Sequence, residues 1–331
     1  MEGGCGMNAV GVKIIVYYNK RNITQNISKY ILSLTYTDYE KDNSDELDIR
    51  VKDNHKIFQQ SRILKGDKLT AYIGYTDGEL LNCGTFTIDE TEFSRSSSGD
   101  EFSIRALAAS VNQTVRQKNS ISYKNKTLIQ IAREIAKKHG YTVAGKYGFA
   151  KIGYVAQLNE SDLAFLARIA RLYGYIFKLT DTVITFIPDD TYEKKGFIAT
   201  IEDKDIDSVS IKDNSVKTYS QCSVKYLGKK GKLTTYTAKG SKTSTSKDTL
   251  KLSVKCGNKN EAIRVANAGL KNGSKTAEGH IDLKKGYPNM IAGVNFNLVL
   301  NNAYDGKYHV KQSTHTIDAS GYKTSVEIEG K

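Results

Sequence analysis

Side chains that commonly do chemistry are few in this chain, and they are dispersed. The five histidines are His55, His139, His280, His309 and His315. His309 and His315 fall on one face of a predicted strand, but six residues of strand span about 20 Å, too far to share a metal ion. His139 is explained by the end of a predicted helix, where the helix dipole favours a cation. The histidines therefore predict no metal site.

The four cysteines, Cys5, Cys83, Cys222 and Cys256, form no C-x-x-C pair and have no zinc-ligand spacing. The N-terminus does not read as a secretion signal, so free thiols in a reducing compartment are expected. A cysteine peptidase would need Cys83 or Cys222 beside His315 as its base. Nothing in the sequence supports that arrangement.

Paired acids and catalytic motifs are also missing. The neighbours Asp89-Glu90 and Asp189-Asp190 point to opposite sides of an extended chain, which makes them poor acid–base pairs. No G-x-S-x-G, H-E-x-x-H or P-loop pattern occurs. We therefore expect no catalytic residue, no cofactor and no metal, and we predict that the protein is not an enzyme.

Length and composition indicate a globular protein of about two domains. The chain has 331 residues, 39% hydrophobic and 26% charged, and a net charge of +13. No apolar run approaches the length of a membrane span. The positive charge suits either an anionic partner or simple solubility, because the basic residues are spread along the chain.

Hydrophobic patterning divides the chain into three parts. Short alternating runs up to residue 107 predict antiparallel strands. Helical periodicity then appears at 125–140 and 159–174, each helix with a polar cap and a terminal glycine, followed by a hairpin at 175–187. Strands return after residue 191, with a helix at 258–273 and a Lys/Ser/Thr-rich loop at 228–249. The fold class is predicted as α+β, mainly β.

The two β-rich parts resemble each other. A shift of 222 residues places Gly84 on Gly306 and Gly99 on Gly321 without a gap. This agreement predicts an internal duplication that flanks the α/β part.

Two further shifts extend the alignment. A shift of 227 places Gly66 on Gly293, and a shift of 175 places Leu34 on Val209 and Ile49 on Val224. The order of the elements is the same in both parts, although inserted segments change the offset.

Three stretches resemble the phage late control D / VgrG-type baseplate hub family. They are GDKLTAYIGY through FSIRALAAS (66–110), NESDLAFLARIARLYGYIF (159–177), and the segment from EAIRVANAGLKNG to the final strand (261–330). The motif positions that carry the resemblance are Gly66, Gly84, Glu160, Asp162, Leu163, Leu166, Gly174, Gly293 and Gly306.

The resemblance implies a homotrimer in which every subunit contributes two tube-like β-barrels, so that three subunits form a ring of six. The implied domains are 1–113 (first barrel, with 1–29 unplaced), 114–190 (inserted α/β domain) and 191–331 (second barrel). Such a hub joins a six-fold tail tube to a three-fold spike. The chain ends at Lys331 without a spike region, so the spike is expected to be a separate protein.

The implied partners are the tail tube protein, the spike, the tape measure and other baseplate proteins. DNA or cargo passes through the lumen without sequence-specific binding. The protein would be assembled in the bacterial cytoplasm and reside in a virion, a bacteriocin or another injection particle. Lys229, Lys230 and Lys232 are candidate contacts to an acidic partner. Two alternatives stay open: a peptidoglycan-degrading or wall-binding tail component, and a nucleic-acid-binding regulator suggested by the charge of +13.

Overall fold

The computed structural model describes most of the chain. The described residues are 11–41, 43–61, 63–108, 117–145, 151–193, 195–213, 218–228, 231–240, 247–273, 275 and 277–330. The unplaced N-terminal residues 1–10 and parts of the Lys/Ser/Thr-rich loop therefore lie outside them.

Strands dominate the molecule, as the sequence predicts. In chain order they are β1 (Val12–Tyr18), β2 (Arg21–Asn22), β3 (Ile31–Tyr39), β4 (Glu46–Lys52), β5 (Lys68–Tyr75), β6 (Leu80–Ser96), β7 (Gly99–Leu107), β8 (Lys118–Thr127), β9 (Thr142–Gly145), β10 (Lys151–Ser161), β11 (Tyr175–Thr180), β12 (Val183–Pro188), β13 (Phe197–Glu202), β14 (Ile206–Asp213), β15 (Gln221–Leu227), β16 (Leu233–Lys239), β17 (Thr249–Cys256), β18 (Ala277–Leu283), β19 (Asn295–Val299), β20 (Gly306–Asp318) and β21 (Gly321–Gly330).

The helices are α1 (Thr24–Ile27), α2 (Ile57–Gln60), α3 (Leu128–His139), α4 (Asp162–Leu172), α5 (Asp190–Glu193) and α6 (Lys259–Asn272), with a 3₁₀ turn at Asp203–Asp205. The three long ones confirm the predicted helices. Thr127 and Gln130 form the predicted capping box of α3, and Gly140 ends it at φ 72°. Ser161 caps α4 by accepting the Ala164 amide, 3.2 Å away.

Thirteen strands form one continuous sheet in the order β14-β18-β21-β20-β3-β4-β7-β6-β5-β1-β2, with β19 and β13 added beside β20. Two runs of six strands repeat the same order within it, although β1 pairs antiparallel with β5 whereas β13 pairs parallel with β19. We call β3-β4-β7-β6-β5-β1 the first module and β14-β18-β21-β20-β19-β13 the second module. Among the described strands the ladder does not close on itself, so two closed barrels remain a prediction.

The hairpin of β6 with β7 and the hairpin of β20 with β21 agree in register residue by residue. In the first, Thr91 pairs with Ile104, and a bulge lies between Ile88 and Glu90. In the second, Ser313 pairs with Val326, and a bulge lies between Val310 and Gln312. Every one of these positions is related by the predicted shift of 222. An equal bulge at an equal place is not a product of strand alternation alone, and it confirms the internal duplication for these hairpins.

One part of the predicted alignment is wrong. Ile49 on β4 does not correspond to Val224, because β15 belongs to a separate three-stranded sheet with β16 and β17. The counterpart of β4 is β18: Ile31 pairs with Val51 just as Ile206 pairs with Leu283, each beside a bulge. Any half-buried strand shows the same alternation of period two, so alternation alone could not distinguish β15 from β18.

Three hydrophobic clusters make up the interior. Each module surrounds its own cluster, and Ile317 and Tyr322 of the second module pack into the cluster of the first. The third cluster holds α3, α4, the sheet of β9, β11 and β12, and also α6 with β15–β17. The modules are joined where the C-terminal half of β20 pairs with β3, from Gln312–Tyr39 to Asp318–Ser33.

Candidate assembly interface

Gly66 and Gly293 occupy equivalent turns, as the sequence predicts. Their φ angles are +100° and +85°, in the region that favours glycine. The Gly66 amide donates to the Ile88 carbonyl at 2.9 Å, and the Gly293 amide donates to the Val310 carbonyl at 2.8 Å. The same turn therefore leads into β5 and into β19.

Gly84 and Gly306 are the second predicted pair of motif glycines. Gly84 has φ +99° and pairs with Ala71, and Gly306 has φ +151° and pairs with Leu298. Gly84 therefore lies where β6 pairs with β5, and Gly306 lies at the start of β20, where β20 pairs with β19. These four glycines are therefore positions of backbone geometry within the modules.

The motif around α4 is organised by the carboxylate of Asp162, which is 1% exposed. It accepts hydrogen bonds from His139 Nε2 at 2.7 Å, Lys138 Nζ at 3.0 Å, Gln157 Nε2 at 2.8 Å and Asn119 Nδ2 at 3.1 Å. Burial acts to raise the pKa of Asp162, but these hydrogen bonds and the Lys138 charge outweigh burial and hold the pKa below its usual value. Asp162 thus ties the start of α4 to the end of α3.

The remaining motif residues support the same packing. Glu160 pairs with Arg168 at 2.5 Å on the surface of α4. Leu166 is fully buried, whereas Leu163 is only half-buried. Gly174 has φ +74°, and a Cβ built there would lie 3.2 Å from the Cβ of Ala268 in α6. The motif therefore stabilises the α/β part, and its residues lie apart from the glycine pairs of the sheet.

A buried ion cluster fastens the α/β part to the sheet, and the sequence analysis missed it. Lys178 Nζ on β11 lies 2.9 Å from Asp38 Oδ1 and 2.9 Å from Asp45 Oδ2. Burial raises the pKa of Asp45 to about 6, with Lys178 opposing this and the nearby Asp38 charge adding to it. The available signal was Asp38 itself, an acid at the buried positions of β3 otherwise occupied by residues such as Leu34 and Tyr36.

A second buried carboxylate belongs to Glu261, in the first turn of α6. Asn258 caps α6, accepting the Glu261 amide at 2.9 Å. The Glu261 side chain accepts hydrogen bonds from the Tyr173 hydroxyl and the Gly257 amide, each 2.7 Å away. It joins α6 to the residue that follows α4.

The thiols and His315 are placed where chemistry on a substrate is disfavoured. His315 is fully buried between Ser313 and Tyr322, and burial lowers its pKa to about 4. Burial raises the pKa of the Cys83 and Cys222 thiols, which favours the unreactive protonated form. Cys222 also lies in a different hydrophobic cluster from the histidine.

Lysines surround a cavity of about 490 Å³ between the second module and α6. Acids accompany them: Lys275 pairs with Glu329, and His309 Nε2 lies 2.6 Å from Glu40 Oε1. This mixture of charges suits an internal ion-pair network better than a site for a free anion.

Two kinds of feature are absent from the described residues. No group of three or more His, Cys, Asp or Glu side chains in that part of the chain is arranged to hold a metal ion. No helix there has the length and apolarity needed to span a membrane. Of the candidate partner contacts, Lys232 is exposed, whereas Lys229 and Lys230 lie outside the described residues.

Two edges of the large sheet are open among the described strands. Beyond Thr87 the outer side of β6 has no partner strand, and the side chains from Glu90 to Ser96 are exposed. On the other side of the molecule β14 pairs only with β18, and most of its side chains are exposed. Open edges of this length are ready to accept a strand of another chain.

Solved structures of other proteins share this fold. The fold is shared with a crystal structure of the tail protein from Neisseria meningitidis MC58, with a TM-score of 0.69, 14% identity and 97% of each chain covered. A component of the type VI secretion system, the E. coli c3393 protein, matches with a TM-score of 0.51 and 13% identity over 96% of this chain and 76% of that one.

The sequence comparisons are more specific. Residues 52–199 match the model of the phage tail baseplate hub (GPD) family. The probable baseplate hub protein of Escherichia phage 186 is 33% identical over 158 residues, which are 47% of this chain and 40% of that protein. The chain thus spans less than half of this curated relative. The resemblance to baseplate hub proteins drawn from the sequence is confirmed.

Proposed function

We propose that the protein is the structural baseplate hub of a phage tail or a phage-derived contractile injection system. It joins a six-fold tail tube to a three-fold spike and lines the delivery channel. The observation that carries this proposal is the repetition of one strand order within one chain, with equal register in five strands of each module and an equal bulge in the repeated hairpin. The family match over residues 52–199 supports it.

The repeated modules allow a three-fold assembly to present six similar units. Three copies of a chain with two similar modules present six modules, which suits contact with a six-fold tube. The cluster that holds α3, α4 and α6 occurs once among the described residues. It therefore offers only three equivalent surfaces, which suits a three-fold spike. In the trimer the modules curve into tube-like barrels.

The hub acts by assembly and not by catalysis. Its partners are a tail tube protein, a spike, the tape measure and further baseplate proteins, and DNA or cargo crosses the lumen without base-specific contact. Assembly takes place in the bacterial cytoplasm, and the finished protein resides in the particle.

Size-exclusion chromatography with light scattering tests the proposal. The protein, mixed with its tail tube and spike proteins, is expected to elute in a complex that contains three copies of this chain. Electron microscopy along the axis should show six lobes in the hub layer. A complex with one or two copies of the chain in the presence of both partners would contradict the trimer.

A further inference from the structure

One strand pairing joins the two modules, and the described part of the chain contains no second pairing of the same kind. Within the chain, the C-terminal half of β20 pairs with β3. The equivalent of that half of β20 is the stretch 90–96 of β6, and the equivalent of β3 is β14. Both of these have open edges in the described part of the chain. Each chain therefore has two open strand edges that could form a second joint, with β6 in the role of β20 and β14 in the role of β3.

We infer that β6 of one copy pairs with β14 of a second copy in the same antiparallel register that joins β20 to β3. The inference rests on the proposed trimeric hub and specifies how its subunits bind each other. Applying the shifts of 222 and 175 to the observed ladder gives the pairs Thr91–Asp213, Glu92–Lys212, Phe93–Ile211, Ser94–Ser210, Arg95–Val209 and Ser96–Ser208.

The side chains brought together are complementary, although the register was fixed without reference to them. Glu92 meets Lys212, an opposite-charge pair of the kind that stabilises neighbouring strands. Phe93, 43% exposed in the single chain, meets Ile211, and its ring would be covered. If the register slipped by one residue, Phe93 would lie opposite Lys212 or Ser210. Side chains that share a face of the sheet in the inferred register would then point to opposite faces.

The observed joint supports the contact at the central pair. His315 and Tyr36 occupy the positions equivalent to Phe93 and Ile211, and their rings stack with centroids 6.0 Å apart. Both are buried there. The intersubunit joint is expected to bury its apolar pair in the same way.

The joint is head-to-tail, because β6 and β14 are different surfaces of the chain. Such an interface gives a ring when the rotation closes and an open filament when it does not. If the joint between chains has the geometry of the joint within the chain, the same rotation relates every module in the assembly to the next one.

Disulfide trapping tests the register. In a Cys5→Ser background, the double variant Phe93→Cys with Ile211→Cys should form covalent dimers and trimers on mild oxidation, seen on non-reducing gels and lost on reduction. The control, Phe93→Cys with Ser210→Cys, places the second thiol on the opposite face of β14. It should give no trimer and at least tenfold fewer covalent multimers.

Charge reversal provides a readout without cysteine. Glu92→Lys and Lys212→Glu should each move the assembly midpoint to about two- to tenfold higher protein concentration, because like charges then face each other. The double reversal should restore the midpoint of the parent protein.

The outcomes separate the inference from the proposed function. If light scattering shows a trimer, yet neither the Phe93/Ile211 trap nor the charge rescue works, the ladder is overturned and the trimeric hub stands. Equal trapping in the test and control variants would also overturn the register. If no oligomer forms with the tube and spike proteins, and nothing is trapped, both are overturned.

Discussion

At the scale of single residues, the Asp162 carboxylate makes stability depend on pH. Its hydrogen bonds lower its pKa in the folded protein, so its contribution is present above the unfolded pKa of about 3.9 and is lost as the pH falls through the lower folded value. Asp162→Asn should unfold about 1–3 kcal/mol more easily at pH 7, and should lose less further stability below pH 4 than the parent.

Urea unfolding monitored by circular dichroism at several pH values measures both effects. Glu134→Gln is the control, since its pair with Lys126 is exposed on both sides. It should change stability by less than about 1 kcal/mol. A parallel pH profile for Asp162→Asn and the parent would show that the carboxylate does not carry this dependence.

Leu166 tests the burial of α4. Leu166→Asp places a charge without a partner in a fully buried position and should cost at least about 3 kcal/mol, or prevent folding. Ala164→Asp, on the exposed side of the same helix, should keep nearly the parent stability. A soluble Leu166→Asp variant with the melting temperature of Ala164→Asp would contradict the packing of α4.

At the scale of elements, we expect the two duplicated turns to lose similar amounts of folding free energy when their glycines are replaced. Gly66→Ala and Gly293→Ala should each destabilise by about 1–2 kcal/mol, because both glycines have a positive φ that an L side chain adopts only at a cost. Gly196, in open space and without positive φ, is the control and should tolerate alanine. Melting temperatures that fall for one turn only would indicate that the two turns are not equivalent.

Local signals predicted most of the elements from the sequence. The Thr127 cap and the Gly140 stop limit α3 to within a few residues, because caps are chemical requirements of a helix end. The matching glycines revealed the repeated hairpins. The correspondence of β4 with β18 was missed, since inserted segments change the offset and alternation is the same in every half-buried strand.

The candidate site was less predictable. The motif glycines and Asp162 were found by resemblance, but the cluster of Lys178, Asp38 and Asp45 joins residues that are 140 positions apart in the case of Lys178 and Asp38. Such pairing depends on how the α/β part packs on the sheet, and sequence spacing does not contain that information. The open edges likewise become visible only when the strand order is known.

The predicted loop at 228–249 is wrong in part, because Leu233–Lys239 form β16, which pairs with β15. At the scale of the whole molecule, the lysine-rich segment 228–249 is proposed to bind an acidic face of a tube, spike or wedge protein. The triple variant Lys229→Ser, Lys230→Ser and Lys232→Ser should keep the thermal stability of the parent. It should reduce recovery of the hub with its partner at low ionic strength, and less so at high salt, because salt screens exposed charges. Equal recovery at low salt would leave a loop that is merely solvated.

The duplicated hairpin has a consequence for how the chain folds. The edge of β3 is synthesised together with β6 and long before β20, yet β20 is its partner in the folded protein. Because β6 and β20 share register and bulge, the early hairpin is a ready competitor for that edge. The two hairpins differ at the centre of this joint, where β20 has His315 stacked on Tyr36 and β6 has Phe93 at the equivalent position. We expect the choice of β20 over β6 as the partner of β3 to depend on such sequence differences between the repeats.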